Sequence, residues 1–139
     1  MQIKNFEDLE IWQLARWLTQ EIYTLGRTPK FAKDYALKDQ MQRAAVSIMS
    51  NIAEGFERAG NQEFAQYLYV AKASCGEVRS QLYVALDQEY LDQKKTNDLL
   101  AVMQRLSIMI KHLIDHLKRS GMRGPKYGNS TQSSSSGSH

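Results

Sequence analysis

Apolar residues recur every three or four positions along four long stretches of this chain, which is the period of amphipathic helices. The first stretch runs from about Glu7 to Leu25, with Ile11, Leu14, Ala15, Leu18, Ile22 and Leu25 on one face. Gly26 and Thr28-Pro29 end it. The second runs from about Asp34 to Arg58, with Leu37, Met41, Ala44, Ile48, Ile52 and Phe56 as its stripe. Ala59-Gly60 break it, and Asn61 is placed to cap the third. That third stretch, from about Gln62 to Glu89, aligns Phe64, Leu68, Ala71, Cys75, Val78, Leu82, Ala85 and Leu86. The fourth starts near Asp92 or Thr96 and stops at Gly121. Leu99, Met103, Leu106, Ile110, Leu113 and Leu117 follow there at 4-3-4-3-4 spacing, a heptad seam. Short connections between long helices predict an all-α fold, an antiparallel up-down-up-down four-helix bundle over residues 1–120. Residues 121–139 hold six serines, four glycines and one proline, a composition that predicts a flexible tail.

Composition narrows the function classes. A chain of 139 residues with 42% hydrophobic residues makes one domain with a real core. No apolar run is long enough to span a bilayer, so no membrane role is expected. The opening Met1-Gln2-Ile3-Lys4-Asn5 lacks an apolar signal core, and the single cysteine, Cys75, has no disulfide partner. Both features predict a cytoplasmic protein. His112 and His116 have metal-ligand spacing, but Lys111 to Leu117 reads K-H-L-I-D-H-L with no glutamate between them. Neither G-x-x-x-x-G-K-[ST] nor G-x-G-x-x-G occurs. No metal, cofactor or small-molecule substrate is expected.

Net charge is +3, and its distribution changes the picture. Residues 1–93 carry 10 basic and 13 acidic groups; residues 94–139 carry 8 basic groups against Asp98 and Asp115, a net +6. Such a basic end favours polyanions, with the phosphate backbone as the partner. The candidate nucleic-acid contacts are Lys94, Lys95, Arg105, Lys111, Lys118, Arg119, Arg123 and Lys126. Lys94 and Lys95 start the fourth helix, so they lie at the opposite end from Arg119. The plainer reading is a solvated helix face with a soluble tail.

Two further lines are not absorbed by the apolar stripes. In the first helix, Leu9, Trp12 and Tyr23 lie off the core face, with Trp17 on yet another side. They point to oligomerisation or base stacking, or to partial burial under loops bearing Phe6 and Phe31. In the second helix, Gln40, Arg43, Ser47, Asn51, Glu54 and Arg58 form a polar line beside the apolar stripe. Arg43 and Glu54 are about 16 Å apart along the axis, too far to pair. Partners are therefore expected from another helix or subunit. Ser74 and Glu77 are candidates, with Glu77 satisfying Arg43 or Arg58. An enzyme would need a nucleophile–base pair from Ser47, Ser74 and Glu77, and no histidine falls in this region. The chain is therefore read as non-enzymatic.

The segment Gln40-Met41-Gln42-Arg43-Ala44-Ala45-Val46-Ser47-Ile48, running into Asn51-Ile52-Ala53-Glu54-Gly55, resembles the signature of the 23S rRNA intervening-sequence proteins. That signature is approximately Q-x-R-R-A-x-x-S-x-x-x-N-I-A-E-G, and Gln42 stands where arginine is frequent. Phe6-Glu7-Asp8-Leu9-Glu10-Ile11-Trp12 is similar to the family's opening F-x-D-L-x-V-W. Phe64, Leu68, Ala71, Ser74 and Glu77 match its F-x-x-x-L-x-x-A-x-x-S-x-x-E pattern. The likeness covers about residues 5–118 and leaves the tail outside. It implies a four-helix bundle assembled as a homopentamer. Its relatives are of two kinds: proteins encoded within rRNA intervening sequences, and accessory proteins of diversity-generating retroelements, which bind nucleic acid and assist a reverse transcriptase. The family offers no catalytic residues. Gln40, Arg43, Ser47, Asn51, Glu54, Ser74 and Glu77 therefore carry over only as structural or interface positions. The rival function is a protein-interaction scaffold that does not touch nucleic acid.

Overall fold

The computed structural model describes residues 3–121. A 3-10 turn at Phe6–Asp8 leads into α1 (Glu10–Leu25), a one-turn helix α2 (Pro29–Ala32), α3 (Tyr35–Phe56), α4 (Asn61–Asp87) and α5 (Gln93–Gly121). The four long helices are those the periodicity predicts. Both α1 and α4 pack against α3 and α5, so the helices form a square in which sequence neighbours are spatial neighbours. Their short connections make those neighbours antiparallel. The predicted tail lies outside the described residues.

Local chemistry fixes the helix ends. Asp34 caps α3 by accepting from the Leu37 amide at 3.1 Å, and its second oxygen accepts from the Tyr90 hydroxyl at 2.8 Å. The Tyr90 ring stacks on Phe31 of α2 at 4.9 Å, so the α4–α5 loop is clamped onto the α1–α3 connection. At the end of α4, Glu89 is left-handed with φ 64°, while the Tyr90 amide donates to the Ala85 carbonyl and the Glu89 amide to Leu86. This is the paired bonding of a Schellman stop made without glycine. Asp92 begins α5 by accepting from the Lys95 amide at 2.8 Å. Gly60, not Asn61, occupies the cap position of α4; Asn61 is the first helical residue and is buried.

The core is continuous from Leu9 to Leu117. In α5 the fully buried line is Leu99, Met103, Leu106, Ile110, Ile114 and Leu117, while Leu113 is only half-buried. The spacing is thus 4-3-4-4-3. On a 100°-per-residue wheel Leu113 and Ile114 lie on opposite sides of the seam and about equally far from its centre, and packing buries Ile114.

Helices α3 and α4 are in close contact near their shared turn. A Cβ on Gly55 would lie 2.7 Å from Tyr67 Cβ and 2.9 Å from Phe64 Cδ1, so only glycine fits this crossing without a shift.

Cys75 sits in the core stripe of α4, and burial pushes its thiol from 9.0 up to about 12. The raised value means that the thiol contributes stability in full below pH 9.0 and loses it as pH rises from there towards 12. Over that window the wild type should lose about 1.4 kcal/mol per pH unit relative to Cys75→Ala. Urea midpoints of the two proteins across alkaline pH measure this difference. Native protein at neutral pH should also resist thiol alkylation until it unfolds.

Candidate nucleic-acid interface

The α4 sequence repeats chemistry at seven-residue intervals. Tyr69, Gly76 and Tyr83 form one line along the helix, and Lys72 and Arg79 form a second beside it. Lys72 and Arg79 flank the buried Cys75, and their positive fields partly offset the effect of burial on its thiol. Both lines therefore run just outside the core stripe. Tyr69 and Tyr83 are 47% and 52% exposed.

Helix α5 completes this face. The Lys118 ammonium donates to the Tyr69 hydroxyl at 3.0 Å and lies 5.5 Å from the ring centroid. That hydrogen bond holds the Lys118 ammonium above its ordinary pKa. The antiparallel register then brings Lys111 level with Gly76 and Gln104 level with Tyr83. Lys111 pairs with Asp115 at 2.8 Å, and this hydrogen bond holds the Asp115 carboxyl below its usual range. Lys72, Arg79 and Lys118 form no ion pair among the described residues. A Cβ on Gly76 would meet nothing within 4 Å. This glycine therefore answers no packing need within the chain, although glycine inside a helix costs about 1 kcal/mol relative to alanine.

The other candidate cations are dispersed. Lys94 pairs with Asp98 at 3.1 Å, and Lys95 with Glu21 of α1 at 2.7 Å. Arg105 faces the opposite side of α5, where it lines a hollow of about 230 Å³ with Glu10, Leu14, Trp17 and Met109. Arg119 is exposed. Arg123 and Lys126 lie outside the described residues. The fourth helix therefore does not present one basic surface. Lys111 and Lys118 belong with Lys72 and Arg79, which the sequence reading left out because they sit in a segment of net negative charge. The signal that reveals them is the shared seven-residue spacing of the tyrosines and the cations.

The polar line of α3 meets different partners from those expected. Arg43 pairs within its own helix with Asp39 at 2.8 Å, and that hydrogen bond raises its pKa. Arg58 pairs with Glu54 at 2.8 Å and donates to the Tyr67 hydroxyl of α4. Glu77 is exposed and pairs with neither arginine. Ser74 does meet the line: Ser47 and Ser74 hydroxyls are 2.9 Å apart, and Asn51 donates to the Ser47 hydroxyl at 3.0 Å. This cluster bridges α3 and α4, and among the described residues the hydrogen-bond partners of the two serine hydroxyls are each other and Asn51. Gln40 is exposed.

The first-helix residues are also rearranged. Leu9 is only 5% exposed and belongs to the core. Its backbone is extended, at φ −72° and ψ 129°, so a helical wheel does not give its direction. Trp12 is half-buried edge-on against Phe6, at 5.3 Å between ring centroids. Tyr23 lines a groove with Asp39, Arg43 and Ser47 of α3. Trp17 is the tryptophan left largely exposed.

Among the described residues, no group of three or more histidine, cysteine, aspartate or glutamate side chains gathers as a metal site. No helix there is long and apolar enough to cross a membrane.

The fold and this face define an all-α bundle bearing a basic, tyrosine-lined surface. Residues 7–112 match the model of the 23S rRNA-intervening sequence protein family, and the chain belongs to that family. Among solved structures, it is similar to a protein of unknown function from the S23 ribosomal protein family of Bacteroides thetaiotaomicron VPI-5482. That likeness has a TM-score of 0.69 at 17% identity and covers 75% of this chain and 97% of the other. No curated protein matches.

Proposed function

We propose that this is a cytoplasmic, non-enzymatic, oligomeric protein that binds the phosphate backbone of nucleic acid through the α4–α5 face. The observation that carries this reading is the gathering of Lys72, Arg79 and Lys118, none of them in an ion pair among the described residues, on one face beside two exposed tyrosines. The family's description, which ties it to 23S rRNA, points the same way. Contacts of this kind are electrostatic and largely indifferent to sequence.

The resemblance adds a ring of five copies, which would repeat the face around one assembly and strengthen weak single contacts by avidity. The groove between α1 and α5 is available for such contacts on the side of the molecule away from α4. It is lined by Leu9, Met109 and Leu113 and continues past the exposed Trp17. In the retroelement branch the assembled ring would hold a reverse transcriptase. If the groove instead carries the whole function, the protein is a scaffold for another protein.

Fluorescence anisotropy with a labelled oligonucleotide, together with light scattering, tests this reading. The expected result is an assembly larger than the 15.9 kDa monomer whose affinity falls linearly with salt on logarithmic axes. A monomer that binds no oligonucleotide at low salt would refute both parts.

A further inference from the structure

We infer that the α4–α5 face selects single-stranded over duplex nucleic acid, with Tyr69 and Tyr83 as stacking platforms for unpaired bases. This rests on the polyanion-binding reading above and adds what the cations alone do not supply. Lysine and arginine contacts to phosphate accept either form. An exposed aromatic ring gains most from an unpaired base, whose flat face can lie against it. In a duplex those faces are already stacked on one another.

The two rings are placed for this. Tyr83 makes no aromatic or cation contact and no side-chain hydrogen bond among the described residues. Tyr69 has the Lys118 ammonium at its hydroxyl, 3.0 Å away, which puts a phosphate-binding charge at the edge of a stacking surface. The rings are fourteen residues apart, about 21 Å along the helix. Gly76 lies midway between them and, having no side chain, leaves a low point on the ridge. Lys72 and Arg79 run alongside. A strand laid along α4 would thus meet an aromatic ring, a bare backbone with cations beside it, and a second aromatic ring. Val70 and Val84, which neighbour the two tyrosines and are also exposed, extend the apolar surface at each end.

The test uses the full chain with labelled single strands of about 15 nucleotides, as RNA and as DNA, and the matched duplex. Wild type should bind both single strands more tightly than the duplex. Tyr69→Ala and Tyr83→Ala should each weaken single-strand binding roughly tenfold and change duplex binding little. Phenylalanine at either position should restore most of the loss, because the ring remains and only the hydroxyl is removed. Both tyrosines are exposed on a helix, so alanine there preserves the fold, and unchanged urea midpoints verify this. Duplex binding as tight as single-strand binding, with the alanine variants at wild-type affinity, would overturn the stacking inference and leave polyanion binding standing. Absence of binding to every oligonucleotide would overturn both.

Discussion

Gly55→Ala should destabilise the protein, whereas Gly76→Ala should stabilise it, although both glycines lie inside long helices. Alanine is favoured over glycine within a helix by about 1 kcal/mol, and Gly76 offers open space for the added methyl. At Gly55 the methyl would meet Tyr67 Cβ at 2.7 Å and the fully buried Phe64 ring at 2.9 Å. Neither is the free end of a flexible side chain. Tyr67 Cβ moves only with its backbone, and Phe64 is held edge-on against Phe56 at 5.9 Å. Helices α3 and α4 must therefore separate at this crossing, an overpacking cost of about 1–3 kcal/mol or more, which exceeds the propensity gain. Valine at position 55 should be worse still. Urea denaturation of the two alanine variants measures the difference. Equal shifts of the same sign would show that the crossing is not tight. The glycine ending the Asn51-Ile52-Ala53-Glu54-Gly55 motif is thus explained by helix packing, not by ligand chemistry.

The second large effect lies in α5. Ile114→Ala should cost about 2–5 kcal/mol, because a side chain with 0% exposure leaves a cavity among Ile110, Leu117 and their neighbours. Leu113→Ala should cost markedly less, since Leu113 is half-buried on the rim of the α1–α5 groove. For a domain whose total stability is about 5–15 kcal/mol, the first change is a large fraction of the whole. The reverse order of the two midpoints would restore the heptad seam.

These two adjacent residues illustrate what the sequence makes legible. Periodicity locates four helices because each apolar face spans many turns, and small errors of phase average out. Within one helix the period does not decide between two adjacent residues that flank the seam about equally, and packing buries Ile114 rather than Leu113. Leu9 stands at the cap of α1 in extended backbone, where helical angles do not apply, so a wheel does not place it in the core. The partial burial of Trp12 against Phe6 is one of the alternatives the sequence offers for the first-helix aromatics. By contrast, the Asp39–Arg43 and Glu54–Arg58 pairs have the simple i, i+4 spacing and were open to view. Segment charge conceals the proposed face. Lys72 and Arg79 counted only as part of an acidic stretch, and the positions that join them to Lys118 depend on the α4–α5 register, which composition does not encode. Ser47 and Ser74 were legible as a pair because an antiparallel α3 and α4 bring the two lines together.

We propose that one face, not the whole basic helix, holds the polyanion. Oligonucleotide affinity against salt should therefore be compared for wild type, a Lys72→Gln/Arg79→Gln/Lys118→Gln variant, and a Lys94→Gln/Arg105→Gln control. The triple variant should lose roughly two to three units of logarithmic salt slope, while the control stays close to wild type. A triple variant that binds like wild type, or a control that loses as much, would contradict it.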